Sequence, residues 1–208
     1  MQTLLEALSG DMAGVVAGVR RSLVHVRNGV RGAGAGSIWH ADGLIVTNAH
    51  VVQSRDIAVI LPDGREVPAV VAAYDRRLDL AALTVRESGL PVVDLGDSRQ
   101  IHPGQIVMSM GHPWGVAGAV SAGVVIGLES QEWHGPEGPR EWIVANLPLR
   151  PGHSGGPMLD AHGRLVGINT MITGPEVAMA VPVHVAKGFL SDALNARGAA
   201  GGTNRPFV

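Results

Sequence analysis

Short apolar runs follow one another at close intervals through most of this chain, each ended by a turn signal, and no helix-length segment alternates with them. Ser22-Leu23-Val24-His25-Val26-Arg27 alternates as a first strand, and the glycines from Gly29 to Gly36 turn the chain into the next. Strands are then expected near 35–39, 44–48, 56–61, 66–73 and 80–85, separated by Asp42-Gly43, Pro62-Asp63-Gly64 and Tyr74-Asp75-Arg76-Arg77. After Glu87-Ser88-Gly89-Leu90-Pro91 the rhythm resumes near 106–111, 118–128, 141–146, 157–160, 164–172 and 176–181. Without crossover helices a parallel sheet is excluded, and closure of each set of strands removes exposed edges. The expected fold is therefore all-β: two six-stranded antiparallel barrels, with a short N-terminal helical segment and a C-terminal helix.

The expected divisions are 1–22 for the helical segment, 23–95 for the first barrel, 96–197 for the second barrel with its closing helix, and 198–208 for a frayed tail. Leu4, Leu5, Leu8, Met12, Val15, Val16 and Val19 have a loose helical spacing that Ser9-Gly10-Asp11 interrupts, which predicts one or two short helices. With 208 residues, 46% of them hydrophobic, the chain can bury a full core.

Several function classes fall away on composition. A net charge of -2 and basic clusters no longer than paired arginines give no footprint for nucleic acid. Lys187 is the one lysine, so a phosphate-binding Gly-Lys-Ser/Thr loop cannot be built. Gly32, Gly34 and Gly36 fail the dinucleotide spacing, because Ser37 and Trp39 stand where the third glycine would be. There is no cysteine, hence no disulfide, thiolate metal site or cysteine nucleophile. The histidines show no close pair at metal-ligand spacing, so neither metal nor other cofactor is expected. No apolar run approaches the about 18 residues of a membrane span, and no signal-peptide pattern opens the chain. As it stands the sequence reads as cytoplasmic, or extracytoplasmic if a leader was removed.

What remains is a glycine-rich bend with one hydroxyl at its centre, Arg150-Pro151-Gly152-His153-Ser154-Gly155-Gly156-Pro157. A serine alkoxide attacking a carbonyl needs N–H donors aimed at the developing oxyanion, and small residues can turn the amides of Gly152 and Ser154 the same way. The hydroxyl also needs a base, and His50 lies where the apolar run Leu44-Ile45-Val46 gives way to the turn Thr47-Asn48-Ala49. Asp79, at the head of Leu80-Ala81-Ala82-Leu83, is a carboxylate at the start of a core strand. It requires a hydrogen-bonding partner there, and a histidine N–H is a candidate.

These residues and their flanks resemble the HtrA (Deg) family of trypsin-like serine proteases. The resemblance rests on Thr47-Asn48-Ala49-His50-Val51-Val52, Asp79-Leu80-Ala81-Ala82-Leu83, Leu95-Gly96-Asp97-Ser98, Gly111-His112-Pro113-Trp114-Gly115, Gly152-His153-Ser154-Gly155-Gly156-Pro157 and Val166-Gly167-Ile168-Asn169-Thr170. It covers roughly residues 15–185 and implies a serine endopeptidase on unfolded or exposed polypeptide, with a possible role in protein quality control. His50 would be general base, Asp79 its orienting carboxylate, Ser154 the nucleophile, and Gly152 and Ser154 the oxyanion donors. The resemblance also implies a substrate pocket around Pro148, Leu149, Ile168 and Met171. With no carboxylate between residues 145 and 152, an apolar preference is expected there. Family members commonly form trimers through N-terminal segments and usually carry PDZ domains, none of which fits in the residues after the match. A loop bearing Trp133 falls where the family has a regulatory loop.

His153 and His112 stand where the family usually has asparagine, so the active loop or its pH dependence is expected to differ. Two rival readings follow: a catalytically silent peptide-binding or chaperone module, and an esterase using the same three residues on small esters.

Overall fold

The computed structural model describes residues 3–29, 32–54, 56–131, 140–174 and 176–199. The first barrel contains β1 (Leu23–Asn28), β2 (Gly32–His40), β3 (Leu44–Thr47), β4 (Ile57–Ile60), β5 (Glu66–Asp75) and β6 (Leu80–Val85). The second contains β7 (Ile106–Gly111), β8 (Ala119–Gln131), β9 (Arg140–Asn146), β10 (Pro157–Leu159), β11 (Leu165–Gly174) and β12 (Val177–Pro182). The strand orders are β1-β2-β3-β6-β5-β4 and β10-β11-β12-β9-β8-β7. Antiparallel pairing of β1 with β4 closes the first barrel, and of β10 with β7 the second. The all-β, two-barrel expectation is met.

Several strands read as unbroken apolar runs because both of their faces are covered. In β3, Ile45 points into the first barrel while Leu44 and Val46 join a core shared between the barrels. In β6, Ala81, Leu83 and Val85 face the interior, and Leu80 and Ala82 the shared core. The second barrel repeats the device: Ile143, Ala145, Ala178 and Ala180 point inward, whereas Trp142, Val144, Met179 and Val181 point to the shared core. Helix α2 (Val183–Ala199) seals it with Val183, Ala186, Phe189 and Leu190. Its last residues extend past the expected boundary at 197, and the stretch 200–208 lies outside the described residues.

Helix α1 (Leu4–Val19) is one continuous helix rather than two short ones. A capping box explains its start: the Glu6 amide donates to Thr3 Oγ1 at 3.2 Å, and the Thr3 amide to Glu6 Oε2 at 2.8 Å. Met12, Val15, Val16 and Val19 then pack against Leu23, Ala35, Met108, Met110 and Leu159, spanning both barrels. That tertiary contact outweighs the cost of Gly10 inside the helix, about 1 kcal/mol. Leu5 and Leu8 remain exposed. Among the described residues no helix is long and apolar enough to cross a membrane.

Candidate active site

The two barrels bring together residues far apart in the chain. His50 sits in a short 3₁₀ turn (Ala49–Val51) directly after β3, and its side chain is 43% exposed. Asp79 caps the start of β6 with φ 54°, a left-handed conformation that Asp tolerates better than bulkier residues. Its carbonyl is pinned by Asn48 Nδ2 at 2.9 Å. Its carboxylate turns back onto the histidine: the His50 amide donates to Oδ1 at 3.0 Å, and His50 Nδ1 lies 2.8 Å from Oδ2. A carboxylate only accepts, so Nδ1 carries the proton and Nε2 presents a free lone pair. The structure thus joins His50 to Asp79 through both the backbone and the ring of the histidine.

Thr170, on β11 of the opposite barrel, donates its hydroxyl to Asp79 Oδ2. Burial works against ionisation of Asp79 most strongly, but the His50 and Thr170 hydrogen bonds and the His50 charge together outweigh it. The carboxyl is held below its ordinary value. Asp79 is therefore anchored from both barrels at once.

Ser154 follows the turn Arg150-Pro151-Gly152-His153, and the residue types dictate its form. Proline presets the second position, and glycine takes the third with φ 106°. The His153 amide closes the turn onto the Arg150 carbonyl at 2.9 Å. This is the pattern of a type II β-turn. The Gly152 carbonyl accepts the His112 amide at 2.9 Å, and no backbone acceptor takes the Gly152 or Ser154 N–H among the described residues. Those two amides are the pair expected to face an oxyanion.

The serine loop is held from both sides. The Ala35 amide donates to the Ser154 carbonyl at 2.8 Å, and the Gly155 amide to the Asn169 carbonyl at 2.8 Å. A Cβ on Gly155, whose φ is 81°, would overlap the Ala35 carbonyl oxygen and the Thr47 hydroxyl. Asn169 is fully buried; it accepts from Ser109 Oγ at 2.8 Å and donates to the Pro157 carbonyl at 3.0 Å. The Ser154 hydroxyl donates to the Thr170 carbonyl at 3.3 Å, and no hydrogen bond joins it to His50 among the described residues. Thr170 consequently touches both Ser154 and Asp79, a role sequence reading did not assign.

The four residues expected around a substrate pocket separate. Ile168 is fully buried in the shared core and Leu149 is packed inside the second barrel, so these two side chains serve packing. Pro148 is half-buried. Met171 belongs to β11, but its side chain lies outside the described residues, as does the loop bearing Trp133. Among the described residues no group of three or more His, Asp or Glu is arranged to hold a metal ion.

Two closed antiparallel barrels are the architecture of a trypsin-like peptidase, and the family model described as trypsin-like peptidase domain matches residues 34–168. The chain is 34% identical over 169 residues to the mitochondrial serine protease HTRA2 of Drosophila pseudoobscura pseudoobscura, covering 79% of this chain and 40% of that protein. Against the mitochondrial serine protease HTRA2 of Bos taurus the identity is 35% over 161 residues, covering 76% and 35%. The serine endoprotease from Yersinia pestis superposes with a TM-score of 0.77 at 27% identity, covering 87% of this chain and 65% of that one. An HtrA-type protease solved with a tripeptide gives 0.80 at 29%, covering 86% and 62%. The chain belongs to the trypsin-like peptidase family, as an HtrA-type protease domain. It spans about two fifths or less of the length of these two HTRA2 relatives.

Proposed function

We propose that this chain is a cofactor-independent serine endopeptidase that cleaves unfolded or exposed polypeptide. The observation that carries the reading is the His50–Asp79 pair, Nδ1 to Oδ2 2.8 Å, linked through Thr170 to a serine on a type II turn whose Gly152 and Ser154 amides meet no backbone acceptor among the described residues. Ser154 leaves the Thr170 carbonyl and attacks the substrate carbonyl while His50 Nε2 takes its proton. The oxyanion is received by the Gly152 and Ser154 amides. His50 then returns the proton to the leaving amine, with Asp79 stabilising the imidazolium.

An apolar side chain before the scissile bond is preferred, since residues 145–152 supply no carboxylate to meet Arg or Lys. The deciding experiment is labelling of Ser154 by a fluorophosphonate with mass mapping, followed by peptide cleavage with apolar or basic residues at that position. Labelling that disappears in His50→Ala supports the proposal; absence of labelling from about pH 5 to pH 9 overturns it.

Leu5 and Leu8, exposed on the first half of α1 while the second half packs on the barrels, are the surface on which a homotrimer would assemble. Light scattering at the trimer mass that drops to the monomer in Leu5→Gln/Leu8→Gln supports it. A monomer at all concentrations overturns it.

A further inference from the structure

The 3₁₀ turn that carries His50 starts from Asn48, whose backbone is extended with φ -83° and ψ 152°. An asparagine in that place ordinarily turns its side-chain oxygen onto an amide two or three residues further on. Asn48 makes no such bond. The amide it would take, that of His50, donates instead to Asp79 Oδ1 at 3.0 Å, while Asn48 Nδ2 donates to the Asp79 carbonyl at 2.9 Å. A carbonyl only accepts, so the NH₂ end of the carboxamide has to face Asp79. Asn48 is fully buried, and its Oδ1 is left with no hydrogen-bond partner among the described residues.

The register explains the arrangement. Strands β3 and β6 pair as far as Thr47 opposite Ala81, after which the 3₁₀ turn carries the chain away from β6. Asp79 lies just before β6, outside the ladder, with φ 54°. The Asn48 side chain bridges the gap that the departing backbone leaves. The two segments have thus exchanged caps: the Asp79 backbone is held by the Asn48 side chain, and the backbone and ring of His50 by the Asp79 side chain.

We propose that Asn48 is a positioning residue for His50, acting through Asp79: its carboxamide fixes the left-handed Asp79 backbone from which one carboxylate reaches both the amide and the ring of the histidine. The proposal deepens the peptidase reading and rests on His50 as its general base. An asparagine that served only the stability of the turn would satisfy its oxygen, because a buried acceptor without a partner is destabilising. A left-handed residue other than glycine is also disfavoured, and persists where its surroundings over-determine it. Without the Asn48 donor the Asp79 backbone relaxes and Nδ1 of His50 loses its acceptor. The ring proton then passes to Nε2, the atom that has to be bare to receive the proton of Ser154.

Asn48→Leu tests this, since leucine nearly keeps the shape of asparagine while removing both the donor and the partnerless acceptor. The ring nitrogens of His50 are followed by ¹⁵N NMR at about pH 8, where an ordinary histidine is neutral. Thermal unfolding and the rate of fluorophosphonate labelling at Ser154 are measured on the same samples. In wild type the proton is expected on Nδ1. In the variant it is expected to be shared with or moved to Nε2, with labelling slowed about tenfold and a Tm no lower than wild type.

A folded variant that keeps the proton on Nδ1 overturns the proposal, as does one that moves the proton without slowing the labelling. Asn48→Ala, which removes the same two groups, repeats the measurement should leucine fail to fold. If neither variant folds, Asn48 serves stability and the proposal falls. A wild-type chain that never labels defeats the peptidase reading, whereas the comparison of ring protons still decides whether Asn48 positions His50.

Discussion

Replacing Thr170 by valine removes one hydroxyl from the candidate site and keeps the side-chain shape. Asp79 is 15% exposed and its carboxylate has three donor groups: the His50 amide, the His50 ring and the Thr170 hydroxyl. Valine leaves Oδ2 with the ring alone. A hydrogen bond to a charged group contributes about 1.5–3 kcal/mol, so full transmission to the transition state lowers kcat/KM by about 10- to 150-fold. Thr170 is also one of the groups that hold Asp79 ionised, so its loss moves the carboxyl upward from its lowered value. The assay is cleavage of a fluorogenic peptide across about pH 5 to pH 8 for wild type, Thr170→Val and Thr170→Ser, with thermal unfolding to confirm folding. Serine should recover most of the rate. A folded valine variant within twofold of wild type at every pH would refute the account of Asp79 anchored from both barrels.

Gly155→Ala introduces a Cβ at φ 81° into the Ala35 carbonyl and the Thr47 hydroxyl; strain and overpacking together cost about 3 kcal/mol, seen as a fall in Tm of roughly 10 °C. Phe189→Ala opens the shared core where α2 seals it, and is expected to cost about 3–5 kcal/mol in denaturant unfolding, against less than 1 kcal/mol for a surface substitution on the same helix.

Much of this architecture is legible from residue order alone, because strands bounded by Asp42-Gly43 or Pro62-Asp63-Gly64 announce their ends chemically. The alternation within the continuous apolar runs is not, since Leu44 and Ile45 look alike and only the second layer reveals that they serve different cores. Ser9-Gly10-Asp11 suggested a break in α1 that packing against Met108 and Leu159 overrides. His50 and Asp79 stand out as polar groups at the ends of apolar strands. Thr170 does not: it lies 91 residues from Asp79 in an ordinary strand sequence, where threonine is a common strand former. Ile168 and Leu149 show the converse, for an apolar residue near a nucleophile looks the same whether it faces a substrate or its own barrel.

The anchoring of Asp79 by a residue of the opposite barrel also has a meaning in time. During synthesis the strands of the first barrel leave the ribosome together with His50 and Asp79, and can close around that pair before Ser154 exists. Ser154 comes next, but Thr170 and then α2 follow it in the chain. A half-made chain therefore holds the His50–Asp79 pair without Ser154, then Ser154 without the strand and helix that follow it. The order of residues thus places Thr170, the contact that joins the two halves of the candidate site, among the last parts of the fold to be made.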